Sequence, residues 1–333
     1  MERYLFDPET RSYRGAQAAD PGAEAWPVSQ AVAASIAVAR IPGAATDAGS
    51  SARRGFAELA KFRVGPVYRS TAGAAVYYDD NEWIAQDLLD WNELHPSTAT
   101  VQAVSAIFSA VVRAWDGDAS TPCAGGVYWT AAANVRDRNT VSTANGAVVG
   151  LRLYALTKRP VFLYWARRML DWMNACMLAP DGLYWDHVGS NGVVDRSVWS
   201  YNQGSPIAAY LLLYETTGDA TALARAERIA AGTLRAFSGR WLSEPPEFAA
   251  IFFRHLLELA AVDGRTDYVA AAAGYAEDAW NGLRDPQTGL FGSPGTTTLL
   301  GQAAFVQLYA HLAITDSGAA VSGSLPPAAG RTG

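Results

Sequence analysis

Apolar residues recur along the chain at helical spacing: Val141, Ala144, Val148, Leu151 and Ala155 fall on one stripe, and Ile84, Leu88, Trp91 and His95 on another. Strand-like alternation is confined to short aromatic turns. Those turns repeat, as Gly125-Gly126-Val127-Tyr128-Trp129, Asp181-Gly182-Leu183-Tyr184-Trp185 and Thr288-Gly289-Leu290-Phe291-Gly292. Gly126 precedes Gly182 by 56 residues, and Gly182 precedes Gly289 by 107, about twice as far. The repeating unit is therefore roughly 50 to 60 residues.

A second mark recurs between apolar stretches, at Leu156-Thr157-Lys158-Arg159-Pro160, Thr216-Thr217-Gly218-Asp219 and Val262-Asp263-Gly264-Arg265. Gly or Asp supplies a helix stop and cap there, and Pro160 suits a first helical turn, so each is a tight helix-to-helix hairpin. Helices that follow a loop are expected to start near 28, 79, 140, 201, 247 and 299, and helices that follow a hairpin near 51, 97, 159, 219 and 265. Six hairpins with a nearly closed count predict an all-α chain folded as one ring of about eleven helices in two concentric layers, an (α/α)6 barrel. The loops leading into the inner helices then gather at one mouth. The expected boundaries are an N-terminal extension over 1–24, one barrel domain over 25–314, and a flexible tail over 315–333, which is rich in Gly, Ala, Ser and Pro.

Composition narrows the function classes. Half of the 333 residues are hydrophobic and 17% charged, which excludes disorder, collagen-like repeats and coiled coil. The net charge of -6 argues against a nucleic-acid partner. No stretch reaches the roughly 18 to 20 apolar residues that span a bilayer, so no membrane partner is expected. The opening MERYLFDPET carries no apolar signal core. A cytoplasmic chain is expected, or a secreted one if a leader has been trimmed away. Cys123 and Cys176 match no metal or redox spacing and read as free thiols.

The most informative segment is Val76-Tyr77-Tyr78-Asp79-Asp80-Asn81-Glu82-Trp83. Asp79 or Asp80 is a plausible N-cap for the helix that follows, and capping alone would account for an isolated acidic start. Two adjacent carboxylates between Tyr and Trp at a barrel mouth point further. Their Cβ atoms lie roughly 5 to 6 Å apart, so the carboxyl groups either converge near the ~5 to 5.5 Å of a retaining glycosidase or splay apart. Convergence would raise one pKa and leave the other group ionised, a proton donor beside a nucleophile. Isoprenoid chemistry competes for an Asp-rich helix start, but position 83 is Trp, Glu82 is an imperfect substitute, and there is neither a second metal motif nor a basic cluster. HExxH, GxSxG, GxxxxGK[ST] and GxGxxG are all missing. Of His95, His187, His255 and His311, only His187 beside Asp186 is a candidate mouth residue, and none reads as a metal ligand.

A second cluster, Trp199-Ser200-Tyr201-Asn202-Gln203-Gly204, opens the fourth inner helix. Aromatic faces stack on the C–H faces of sugars, and amides both donate to and accept from hydroxyls. The structural alternative is an aromatic plug with an Asn cap. Trp129, Trp185, Asn139 and Asn145 occupy comparable positions, as do Phe248 and Arg254, the latter equally a buried ion-pair partner.

Together, Tyr-Asp-Asp-Asn-x-Trp at 78–83, Gly-Gly-Val-Tyr-Trp at 125–129, Arg-Asn-Thr-Val-Ser-Thr-Ala-Asn at 138–145 and Trp-Ser-Tyr-Asn-Gln-Gly at 199–204 resemble glycoside hydrolase family 76. The resemblance runs from about residue 25 to 314. It implies an (α/α)6 barrel that acts as an endo-α-1,6-mannanase on mannan with retention of configuration, with Asp79 as nucleophile and Asp80 as general acid/base. The residues expected to bind substrate are Tyr78, Asn81, Trp129, Asn139, Trp185, Asp186, Trp199, Tyr201, Asn202 and Gln203. No cofactor or metal is expected; the expected partner is α-mannan or a manno-oligosaccharide, and the chain is expected to be a monomer. The segment at 138–145 fits the family only loosely. The alternatives are a non-catalytic glycan-binding barrel, which would not require adjacent acids, and another (α/α)6 sugar enzyme, such as an epimerase, which would need a convergent His pair.

Overall fold

The computed structural model describes residues 1–16, 22–44, 47–292 and 297–318. The expected tail lies, beyond 318, outside the described residues. After a one-turn α1 (Glu2–Leu5), helices alternate between two layers. The inner ones are α2 (Ala25–Ala39), α4 (Tyr78–Leu94), α6 (Thr140–Thr157), α8 (Tyr201–Thr217), α10 (Pro246–Asp263) and α12 (Leu299–Asp316). The outer ones are α3 (Asp47–Leu59), α5 (Thr98–Arg113), α7 (Pro160–Cys176), α9 (Ala220–Ala236) and α11 (Thr266–Gly282). Each inner helix packs on the next, and α12 returns to α2, so the ring closes. This is the (α/α)6 barrel, with every start within four residues of its expected place.

The hairpins form as the sequence dictates. Gly218 and Gly264 end α8 and α10 in the left-handed conformation, at φ of 76° and 73°, and Pro160 opens α7. The apolar stripes are less telling than expected, because α6 is buried over most of its circumference, polar residues included. A helix touched on both sides has no solvent face to keep polar.

Short antiparallel strands decorate the mouth: β1 (Phe6–Asp7) with β2 (Ser12–Tyr13), β3 (Arg63–Val64) with β4 (Val67–Tyr68), and a three-stranded sheet of β5 (Arg138–Asn139), β6 (His187–Val188) and β7 (Val194–Asp195). Leu5 and Tyr13 are buried with Val28, Val32 and Ile36 of α2, so the N-terminal segment packs on the first inner helix. Among the described residues no helix is long and apolar enough to cross a membrane.

Cys123 and Cys176 form a disulfide between the loop after α5 and the end of α7, with Cα atoms 6.0 Å apart. The reading of both as free thiols is corrected. The pair is 53 residues apart, and only the folded loop brings the two together.

Toward the far end of the inner helices from the mouth, the barrel axis holds a buried ionic cluster. Asp90 of α4 pairs with Arg152 of α6 at 2.8 Å and with Arg254 of α10 at 2.9 Å, and Arg40, at the end of α2, donates to the Asp90 carbonyl at 2.9 Å. Glu93 closes on Arg40 and Arg152, and Glu258 on Arg254 and His255. Burial alone would raise the Asp90 pKa; Arg254, Arg152 and Arg40 outweigh it and hold the carboxyl well below the usual range. Arg254 is thus structural. Removing one charge strands the others, so Asp90→Asn should destabilise the fold by about 3–5 kcal/mol in urea unfolding; a loss below about 1 kcal/mol would show that the cluster does not hold the inner ring.

Candidate active site

Helix α4 begins at Tyr78, with Tyr77 as an extended N-cap residue. Neither Asp79 nor Asp80 caps it, which corrects that expectation. Both stand in the first turn, where the helix dipole still favours negative charge. The chain entering α4 is stitched to the strand-like segment at Trp129. Tyr78 N–H donates to the Trp129 carbonyl at 2.8 Å, and the Thr130 hydroxyl and Ala131 N–H both donate to the Val76 carbonyl at 2.9 Å. That stitching carries the Trp129 indole over the helix start, where its Nε1–H donates to Asp79 Oδ2 at 3.2 Å. Tyr77 packs against the same indole, centroids 4.8 Å apart.

The facing wall is the three-stranded sheet. Asn139 pairs with His187, and Thr140 N–H donates to the Asp186 carbonyl. Arg138, with no exposed surface, anchors this sheet through Asp116 at 2.7 Å and through the carbonyls of Pro122 and Gly189. The Asp186 carboxylate is held by Asn202 Nδ2 at 2.7 Å and His187 Nδ1 at 2.8 Å. The apolar floor is Trp83, Val141 and Ile251 with Trp26 and Tyr201 against them, and Tyr201 stacks on Phe248 at 4.0 Å. These walls enclose a cleft of about 560 Å³.

The two carboxylates differ electrostatically. Burial raises Asp79 to about 6, with Asp186 adding to the rise while the Trp129 indole and the amides of the first turn oppose it. Burial also raises Asp80, well above the usual range, and the charges of Asp79 and then Glu24 raise it further. With Asp80 raised the more steeply, the pair is arranged so that Asp79 ionises first and Asp80 keeps its proton. His187 is raised first by its bond to Asp186, against desolvation, with Asp186, Asp137 and Asp195 adding charge.

Of the residues expected to bind substrate, Trp129, Asn139, Asp186 and Tyr201 line the cleft together with Asp79 and Asp80. Three others are fully buried and support the frame. Asn81 ties down the backbone of Tyr68 and Tyr77; Gln203 ties down that of Tyr184 and Trp199; and Asn202 donates to Asp186. Trp199 packs on Phe248, and Trp185 lies beneath Arg196. Tyr78 faces a neighbouring hollow with Arg113, Tyr128 and Arg136. The sequence reading missed Glu24, Ser70, Trp26 and Asp137, all of which line the cleft. Glu24 and Trp26 had a usable signal, since they stand at the start of the first inner helix just as Tyr201 stands at the start of the fourth. Ser70 and Asp137 sit in irregular loops and had none.

Asp186, His187 and Asp195 bring three potential ligand atoms within 4.8 Å of one another. Asp186 is already bonded to Asn202 and His187, and Asp195 accepts from Ser197. The set is better described as a hydrogen-bonded wall than as an open coordination site.

A family model, Glycosyl hydrolase family 76, matches residues 7–297. The mannan endo-1,6-alpha-mannosidase DCW1 of Candida glabrata is 32% identical over 124 residues, 34% of this chain and 27% of that protein. Its namesake from Saccharomyces cerevisiae is also 32% identical over 124 residues, 34% of this chain and 26% of that one. The matched stretch thus spans about a quarter of either relative. Among solved structures, a family 76 glycoside hydrolase (mannosidase) from Bacteroides thetaiotaomicron superposes with a TM-score of 0.83 at 24% identity, over 95% of this chain and 96% of that one. An inactive variant of the α-1,6-mannanase of Salegentibacter sp. HEL1_6, with two consecutive Asp residues replaced by Asn and α-1,6-mannotriose bound, gives 0.79 at 18% identity, over 94% and 96%.

The Trp129 contact makes a checkable statement. A donor to the ionised form lowers a carboxyl pKa, so Trp129→Phe should raise the Asp79 midpoint from about 6 by about one unit in a carboxyl-carbon NMR titration. A midpoint that stays put or falls would remove the indole from the electrostatics of the pair.

Proposed function

The chain belongs to glycosyl hydrolase family 76, and on that footing we propose that it hydrolyses α-1,6-linked mannan within the polymer, with retention, through a mannosyl-enzyme intermediate. The observation that carries the reading is the Asp79–Asp80 pair, set in the first turn of an inner helix beneath an aromatic-walled cleft, with environments that push its two proton affinities apart. Two further points support it: the curated relatives are mannan endo-1,6-alpha-mannosidases, and the inactive Salegentibacter variant lacks two consecutive aspartates.

Asp79 is the nucleophile. Its carboxylate attacks the anomeric carbon as the bond from that carbon to the glycosidic oxygen breaks, and Asp80 delivers its proton to the departing oxygen. The glycosyl ester on Asp79 is then cleaved by water. Asp80, now ionised, takes the water's proton while the oxygen bonds to the anomeric carbon and Asp79 leaves as carboxylate. Trp129 holds the Asp79 oxygen in place, and Asp186, fixed by Asn202 and His187, offers acceptors to sugar hydroxyls. Tyr201, Phe248, Trp26 and Trp83 offer the apolar faces of sugar rings a surface to stack on.

Incubation with α-1,6-mannan tests the reading. The parent should release shortened oligosaccharides, and its kcat/KM should fall as pH drops below about 6, because protonation removes the Asp79 nucleophile. Asp79→Asn and Asp80→Asn should each lose roughly 10²- to 10⁴-fold in rate. With an aryl mannoside whose leaving group needs no proton, only Asp80→Asn should still form the glycosyl ester. Unchanged cleavage by either variant would end the proposed mechanism, and binding by the parent without cleavage would favour a glycan-binding barrel.

A further inference from the structure

Three residues beyond Asp79 on α4, Glu82 is fully buried, and neither of its carboxyl oxygens has a hydrogen-bond partner among the described residues. Asp79 Oδ1, one turn earlier on the same side of the helix, is likewise buried and without a partner. The mechanism above leaves Glu82 unused.

Its surroundings are made to admit it. A Cβ at Gly146 of α6 would lie 3.2 Å from Glu82 Oε1 and 3.0 Å from Met169 Sδ, so a glycine is what leaves room for the carboxyl. Gln86, one turn on along α4, is neutral and donates to Asn145, the residue before Gly146, at 3.2 Å. The axial arginines, Arg152 and Arg254, are committed to Asp90. The charge that bears on Glu82 is that of Asp79, and burial together with that charge pushes the Glu82 carboxyl well above its usual range. An ionised Glu82 would set a second buried negative charge, with no donor of its own, one turn from Asp79. A neutral one carries an O–H that needs an acceptor.

We propose that Glu82 is a positioning residue, a neutral acid whose O–H donates to Asp79 Oδ1 directly or through one interior water and keeps that carboxylate oriented and ionised while Trp129 holds Oδ2. The proposal rests on the reading of Asp79 as nucleophile. Glu82→Gln preserves a donor of the same shape, and Glu82→Met removes it at similar volume.

Two readouts separate the possible failures. Difference infrared spectroscopy at pH 7 should show that the parent has one protonated-carboxyl band that Glu82→Gln lacks; no lost band would overturn the neutral acid. In mannan hydrolysis, Glu82→Gln should keep the acidic limb of kcat/KM within about 0.3 pH units of the parent. Glu82→Met should raise it by about one unit, with kcat falling more than KM changes. If both substitutions lower the limb, Glu82 is a charged neighbour, and if both merely lower the melting temperature, it only packs; either result overturns the proposal. A parent that cleaves no mannan defeats the functional reading instead, and the Asp79 midpoint, followed by carboxyl-carbon NMR in the three proteins, should then show the same one-unit rise in Glu82→Met alone.

Discussion

Everything at the mouth of this barrel depends on how the inner helices solve the burial of their own polar faces. Six helices packed side by side bury most of the axis between them, and the polar residues pointing into it need partners there. At the far end they do so around Asp90, which takes guanidinium groups from α6 and α10 and ties the end of α2 through its carbonyl. Helix α4 is thereby fixed along its length. Eleven residues, or about 16 Å of helix, separate that anchor from Asp79, so the cluster sets the height at which the two carboxylates stand in the cleft.

The near end solves the same problem differently. Polar side chains at the starts of inner helices bind loop backbones rather than each other: Asn81 holds β4, and Gln203 holds the aromatic turn at Tyr184. Gln302 holds the aromatic turn at Phe291 in the same manner as Gln203. These contacts bring the repeated turns to one face, and the bonds of Val76 and Tyr78 to residues 129–131 deliver Trp129 to Asp79. Two identical side chains in adjacent positions then acquire different proton affinities from what surrounds them. Asp79 has an indole donor and helix amides, whereas Asp80 has the charges of Asp79 and Glu24.

How much of this the sequence disclosed follows from what each signal encodes. Helix starts and hairpins are local, so Gly218, Gly264 and Pro160 marked them where they fall, and the repeat of aromatic turns disclosed the ring. Asp79, Asp80, Trp129, Asn139, Asp186 and Tyr201 were legible because a barrel mouth is built from inner-helix starts. Direction was not. Asn81, Asn202 and Gln203 have the chemistry of sugar ligands, and nothing in their spacing says that they turn inward to backbone or to Asp186. Trp26 and Glu24 were overlooked for want of a repeated turn ahead of α2. The Cys123–Cys176 bond depends on a loop path that no motif spacing describes.

The central claim is that adjacent carboxylates divide the work of one double displacement. The configuration of the first product tests it most directly, followed by proton NMR from the moment enzyme meets α-1,6-mannan. Two displacements at the same carbon predict that new reducing ends appear first as the α-anomer and drift toward the β-anomer only by mutarotation. First appearance as the β-anomer would mean a single displacement by water, and would contradict an intermediate on Asp79.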